Sequence, residues 1–306
     1  MIRTILTAAC FLLVSLNTKA CDICGCGVGG YYIGILPDFN KTVFGIRYRH
    51  NHLRTHIGAG GESSYLTTDE TYRTAELWGG WSLGKKFRMM GYLPVSFNEK
   101  HNQGETYHKT GMGDIGLQGY YNLLNRRKTY GEKLLVQTLW AGVGVKLPVG
   151  KYDNSKAVEN SAGANLFQLG TGSVDFTLNA MYDIRLQDLG LSVVSSYKIN
   201  TANRYDYQYG NKFSLAAQLY HKWRVKNKYS IAPNAGLSYE TAKRDLNHEV
   251  KTDVSGGHLV LAGGGCEISM GKWAVGANFQ LPVQQNLANG FVKAGNRGML
   301  HVSIVL

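Results

Sequence analysis

From residue 41 to the end of the chain, apolar and polar residues alternate with a period of two. In "KTVFGIRYRHN" Phe44, Ile46 and Tyr48 share one face, while Gly45, Arg47 and Arg49 share the other. "DFTLNAMYDIRL" sets Phe176, Leu178, Ala180, Tyr182 and Ile184 against Asp175, Thr177, Asn179, Asp183 and Arg185. Side chains of a strand point alternately to its two faces, so this pattern predicts ribbons with one apolar and one polar side. Twelve such segments recur, at 41–51, 72–83, 86–97, 112–124, 133–147, 174–186, 189–200, 212–225, 228–241, 258–269, 272–283 and 297–306. Each is about the length that crosses a bilayer at a barrel's tilt, roughly 9–11 residues. No helical period competes over a comparable length.

The connections are unequal. Segments 52–71, 98–111 and 148–173 read as long loops and 125–132 as an intermediate one. Residues 84–85, 187–188, 226–227 and 270–271 read as two-residue turns, and 201–211, 242–257 and 284–296 as loops. Short turns at one end and longer loops at the other are the habit of outer-membrane barrels. A soluble sandwich, the competing fold with alternating faces, has no reason to gather its long loops at one end. The expected fold is therefore all-β, a membrane-spanning antiparallel up-and-down β-barrel of about twelve strands. Hydrocarbon offers no hydrogen-bond partners, so such a sheet must close on itself.

Composition and the N-terminus agree with export. Arg3, an apolar run over Ile5–Leu16 and the Thr18-Lys19-Ala20 segment read as a signal peptide over 1–20. The apolar run is too short for a spanning helix. Residues 21–40 then form a Cys-rich arm, periplasmic or plug-like, and 41–306 the barrel. The chain holds 38 Gly, 19 Tyr and 5 Trp but 5 Pro, which suits strands that bend, close and meet a membrane interface. The formal charge is +12, of which two basic residues belong to the signal. The basic residues are scattered in ones and twos through strands and loops, so the balance does not indicate a nucleic-acid partner.

Three stretches carry a family resemblance. "GMGDIGLQGYYNLL" at 111–124, "KLPVGKYDNS" at 146–155 and "FQLGTGSVDF" at 167–176 stand in order and at the right spacing. In these the chain resembles the transporter-like outer-membrane barrels associated with meta-pathway phenol degradation, over residues 41–306. The resemblance implies the barrel fold and passage of a small solute across the outer membrane, among lipid. The Cys-rich arm departs from the general pattern of that family.

The polar faces place Arg47, Arg49, Glu76, Arg88, Asp114, Lys146, Asp175, Asp183, Arg185, Lys222 and Arg224 in the lumen, with Lys198, Glu240 and Glu267. Basic residues outnumber acidic ones among them, so an open lumen would favour anions mildly. Twelve strands enclose a narrow interior, and Trp78, Trp140, Tyr92 and Tyr120 would fill much of it. Asp114 and Asp175 read either as solute-contacting groups paired with Arg47 or Arg185, or as acceptors that anchor loops.

Metal chemistry has two candidate settings. His50, His52, His56, His101, His108, His248 and His258 fall at or near the external ends. The plain reading is a polar loop composition. The sharper one is a mouth that collects copper or zinc, to which imidazole is suited, if loops 52–71 and 98–111 approach one another. Cys21, Cys24 and Cys26 stand in C-x-x-C-x-C spacing in an oxidising compartment. A lipid anchor, a local disulfide with a spare thiol, a Cu(I) or Zn thiolate site and redox exchange with a periplasmic protein are all open for them. Cys266 reads as a small lipid-facing residue. Catalysis is not expected: Ser303 and His301 share a face, with no acid evident in sequence beside them. A solute path for a metal ion or small aromatic or hydrophobic compound is the first reading. A closed barrel that binds metal or anchors a periplasmic complex is the second.

Overall fold

The computed structural model describes residues 41–58, 61–154, 165–226 and 228–306. The signal peptide, the arm and its three cysteines lie outside the described residues. Twelve antiparallel strands form the wall. They are β1 (Val43–Thr55), β2 (Thr68–Leu83), β3 (Phe87–Asn102), β4 (Ile115–Tyr130), β5 (Lys133–Leu147) and β6 (Asp175–Leu186). The second half comprises β7 (Leu189–Ile199), β8 (Lys212–His221), β9 (Tyr229–Ala242), β10 (Gly257–Met270), β11 (Trp273–Leu287) and β12 (Lys293–Val305). Each pairs with its sequence neighbours, and β1 pairs with β12 from Val43 opposite Val305 to Arg54 opposite Lys293. The sheet is closed and has no free edge along its bilayer-spanning part.

Alternation decides which side of the wall each residue meets. On β2, Tyr72, Thr74, Glu76 and Trp78 are buried inside, while Leu77, Trp81 and Leu83 are exposed outside. The outward face carries an apolar middle, including Ile46, Val143, Leu178, Leu237 and Leu300. Aromatic residues flank it at both ends. Trp81, Phe87, Trp223, Tyr229 and Trp273 lie toward the short turns, and Phe97, Phe176 and Tyr239 toward the long loops. An apolar band between two aromatic girdles is the surface a bilayer requires.

Two connections differ from expectation. Segment 98–111 is not a long loop: β3 continues to Asn102, turns at Gln103-Gly104, both with positive φ, and returns as the ribbon Glu105–Met112. Segment 125–132 is likewise strand, with Gly131-Glu132 as its turn. Both hairpins carry polar or charged side chains on each face, so the apolar alternation that marks a bilayer-crossing strand is missing from them. The expected strand 212–225 also breaks. β8 ends at His221, and Trp223–Val225 forms a separate short ribbon against β9.

If the outward belt meets hydrocarbon, Leu300→Arg at its middle should weaken folding into phospholipid bilayers by about 2–4 kcal/mol. Leu83→Arg near the girdle should cost about 0–1 kcal/mol. Urea titration of the vesicle-folded protein measures both.

Candidate functional site

The loop-rich end of the lumen is organised by one buried charge cluster. Asp114 ends the hairpin and opens β4, Lys146 lies at the end of β5, Asp175 opens β6 and Lys198 lies near the end of β7. All four are almost wholly buried. The Lys146 ammonium stands 2.5 Å from Asp114 Oδ2 and 2.9 Å from Asp175 Oδ2, and Lys198 Nζ stands 3.2 Å from Asp175 Oδ2. Two positive and two negative groups cancel, which is how ionised side chains become tolerable in an interior.

The same carboxylate ties down both arms of the 148–174 loop. Asp114 Oδ1 accepts from the Gly150 N–H at 3.0 Å, and Oδ2 accepts from the Thr171 N–H at 2.9 Å. Lys146 donates to the Thr171 hydroxyl and, at 3.1 Å, to the Ser173 carbonyl. Gly170 is needed here, because a Cβ on it would collide with Asp114 Oδ1. Thus the three stretches singled out in the sequence, at 111–124, 146–155 and 167–176, meet at one point. The aspartates act as loop anchors, and their basic partners are Lys146 and Lys198. Arg47 pairs instead with Glu76, and Arg185 donates to the Gln187 carbonyl at 2.8 Å.

Anchored in this way, the loop turns into the mouth. Leu166 and Phe167 join Leu53, Tyr72, Leu259, Leu261 and Leu287 in an apolar cluster, with Phe167 and Tyr72 edge to face at 6.3 Å. Lys109, on the returning ribbon, donates to the Phe167 carbonyl at 2.8 Å and lies over the Phe167 ring. Gln168 exchanges two hydrogen bonds with the Asp153 backbone, at 3.0 and 2.9 Å. The described arms of the loop thus place an apolar cap at the long-loop end of the lumen.

Below the cap the interior is both aromatic and charged. Trp78, Met90, Tyr92, Tyr120 and Trp140 pack together inside. Tyr120 and Tyr92 direct their hydroxyls to Gln118 Oε1, at 2.6 and 3.4 Å. A ladder row beside this cluster runs Glu76, Arg47, His301, Gly276, Glu267 across five strands. Arg47 Nε donates to Glu76 at 3.0 Å, and its guanidinium lies about equally over the Trp78 and Tyr92 rings, at 5.9 and 5.8 Å. Gly276 leaves room for His301 to reach Glu267, 3.7 Å away; a Cβ there would collide with the imidazole. Among the described residues, the Trp78 indole N–H, the Ser303 hydroxyl and both His301 ring nitrogens have no hydrogen-bond partner.

The other candidates fall as follows. Arg49 joins Glu76 at 3.3 Å, and Arg88, deeply buried, donates to the Lys41 carbonyl at 2.8 Å. Asp183 accepts from the Tyr220 hydroxyl at 2.8 Å. Lys222 lies just beyond β8, with its ammonium over the Tyr220 ring. Arg224 is exposed in the short ribbon at the turn end and does not line the lumen, because the strand breaks before it. His50 and His52 point outward from β1, one into a shallow outer groove beside Tyr48 and Leu300, the other 3.4 Å from Asp69. His56 sits in the following loop, where burial and the Lys100 ammonium hold its pKa below the ordinary range. The three do not converge, since the strand sends two to the outer face before the chain turns. Among the described residues no group of three or more His, Cys, Asp or Glu could hold a metal.

Several participants escaped the sequence pattern. Gln118, Phe167, Gln168 and Thr171 are contact residues of ordinary types. The Glu267 beside His301 lies on another strand, two strands along the wall, so linear spacing could not reveal it.

A family model described as "Putative MetA-pathway of phenol degradation" matches residues 51–296. The chain belongs to this family. No curated protein matches it. Among solved structures, this MetA-pathway barrel is similar to an outer-membrane channel from Pseudomonas putida F1. The two share 15% identity and a TM-score of 0.60, over 92% of this chain and all of the other. It also resembles the β-domain of the Bordetella autotransporter Brka, at 10% identity and a TM-score of 0.46, over 87% of this chain and all of that one. The closed twelve-strand wall and its lipid-facing belt assign the MetA-pathway barrel to the outer membrane.

Lys146→Met should cost about 3–5 kcal/mol, the range for breaking a buried pair. The double variant Asp114→Leu/Lys146→Met should cost less than Lys146→Met alone, because it leaves no stranded charge. Unfolding titrations give both values, and protease cleavage within 148–174 should rise in the single variant.

Proposed function

We propose that the barrel gives a small aromatic or hydrophobic solute a narrow path across the outer membrane. The observation that carries this reading is a pair of apolar, aromatic clusters inside an otherwise ion-paired lumen. One holds Phe167 and Tyr72 at the mouth and the other Trp78, Tyr92, Tyr120 and Trp140 deeper in, with Thr74 and Glu76 between them on β2. Salt bridges such as Arg47–Glu76 and Arg297–Glu240, the latter at 2.7 Å, neutralise most lumen charges. A hydrated ion would find little net field there, whereas an aromatic ring would find offset and edge contacts of about 0.5–1.5 kcal/mol each. The indole of Trp78 and the imidazole of His301, both buried, supply hydrogen-bonding positions for a polar substituent on such a ring. Membership of a family named for phenol degradation fits this solute class.

In this reading the cap is the gate. Solute enters when Phe167 and its neighbours yield, while the Asp114–Lys146 anchor keeps the base of the loop in place. Transport needs weak, repeated contacts, and the ladder of aromatic side chains provides them.

The test is initial uptake of a labelled small aromatic compound by cells carrying the barrel, against an aliphatic compound of equal size and against cells without it. The barrel should raise aromatic uptake several-fold. Trp78→Ala/Tyr120→Ala should lose about 2–10-fold of the aromatic preference, as one stacking contact would imply. Equal acceleration of both solutes, or none of either, would sink the reading.

A further inference from the structure

The basic residues that look scattered along the sequence are gathered in space. The turn Gly84-Lys85-Lys86 is one of five connections at the short-turn end of the barrel. The β4–β5 hairpin brings Arg126, Arg127, Lys128 and Lys133 to that end, and the β8–β9 connection brings Lys222, Arg224, Lys226 and Lys228. Lys272, Arg185 and Lys41, where the described chain begins, complete the set. Among the described residues, thirteen basic side chains thus stand at this end with three acidic ones, Glu132, Asp188 and Asp183, the last beside Arg185 and Lys222. That is a formal +10, in a chain whose whole charge is +12. At the opposite end the signs are interleaved, as in Arg54 with Asp69 at 3.0 Å and Arg244 with Asp253 at 3.1 Å.

The depth of these charges is set by the aromatic residues among them. Lys85 and Lys86 fall between the outward Trp81 and Phe87. Lys222 and Arg224 flank Trp223, Lys228 precedes Tyr229 and Lys272 precedes Trp273, all three aromatic residues being exposed. The Lys86 ammonium lies 5.9 Å over the outward Tyr121 ring, which itself packs on Phe87 at 4.8 Å between centroids. Amphipathic rings of this kind seat at the headgroup level. Long basic side chains beside them keep their stems on apolar surface and their charges among the phosphates.

We propose that this rim is a cationic collar that selects anionic phospholipid headgroups, of the phosphatidylglycerol or cardiolipin type, in the leaflet around the short-turn end. Each lysine or arginine at a negatively charged membrane surface adds attraction that falls off within a Debye length. Among the described residues, the acids at this end are too few to cancel the collar. The β4–β5 hairpin is different. Its residues 125–134 are exposed on both faces and project past the neighbouring strands, whose pairing stops at Phe87 on β3 and Leu186 on β6. Its charges therefore stand beyond the headgroups, and a soluble acidic partner would meet them first.

Spin-labelled phosphatidylglycerol and phosphatidylcholine, exchanged against the full-length barrel in phosphatidylcholine vesicles, read the selectivity of the first lipid shell. The wild type should prefer phosphatidylglycerol by on the order of threefold at low salt, with the preference fading in high salt. Lys85→Gln/Lys86→Gln/Lys226→Gln/Lys228→Gln/Lys272→Gln should bring the ratio close to one, while Arg126→Gln/Arg127→Gln/Lys128→Gln should leave most of it. A wild type without preference overturns the proposal. So does a preference that survives the collar variant or vanishes only with the hairpin variant, the last pointing to an acidic soluble partner. Heat-modifiable migration in SDS checks that each variant is folded. Should the fivefold variant not fold, Lys85→Gln/Lys86→Gln and Lys272→Gln must each remove part of the preference, and no graded loss refutes the collar.

Discussion

Two lysines and two aspartates buried at the long-loop end of the lumen hold the rest of the architecture in place. A buried ammonium or carboxylate is tolerable only with its counter-charge and hydrogen bonds complete. Lys146 meets this condition through Asp114, Asp175, Thr171 and the Ser173 carbonyl together. Those partners come from the end of the β3 hairpin, the start of β6 and the loop between β5 and β6. Neither arm of that loop can swing outward without stranding a charge. Its path into the mouth is therefore fixed by electrostatics, and the apolar contacts of Leu166 and Phe167 follow from it.

The lumen below applies the same economy in another form. The outside of a barrel must be apolar where it meets hydrocarbon, so ionisable groups in the bilayer-crossing part of the strands are driven inward, where a narrow cylinder gives them little water. They resolve into cross-strand pairs such as Arg47–Glu76 and Glu240–Arg297. Residues without charge, chiefly Trp78, Tyr92, Tyr120 and Trp140, fill what remains. Aromatic clusters in an ion-paired lumen are thus a consequence of geometry. The charges are held against the wall by one another, and rings occupy the space between. Gly276 illustrates the tightness: one missing Cβ decides whether His301 and Glu267 can face each other.

How much of this could be read from the chain depended on whether lipid touches the residues. The strands were legible, because hydrocarbon enforces strict alternation on every residue that crosses it. The hairpin around Gln103-Gly104 and the one around Gly131-Glu132 were not, because water on both faces imposes no period. The same alternation sets the side-chain faces, and Arg47, Glu76, Asp114 and Lys146, all on the polar face of the pattern, are buried. Their partners were not legible, since cross-strand register depends on closure of the whole sheet. Asp114 thus gained Lys146, 32 positions away, in place of an arginine. The histidines are spread for a related reason: His50 and His52 share the outer face of β1, whereas His56 lies past the strand end at a positive φ, so clustering in a list is not clustering in space.

Charge distribution completes the picture, and it sets the two ends of the cylinder apart. At the loop end, acids and bases are interleaved, and apolar side chains of the anchored loop pack into the mouth. At the turn end, among the described residues, thirteen basic groups stand with three acids. A barrel that enters the membrane from the periplasm must carry one end through hydrocarbon. The end with paired charges is the one that can cross at lower cost, because each pair carries no net charge. The basic turns are the end that need not cross. One distribution thus shapes both ends: charges are paired inside the lumen, where water is scarce, and basic groups gather at the turns, where the proposed collar would meet lipid phosphate.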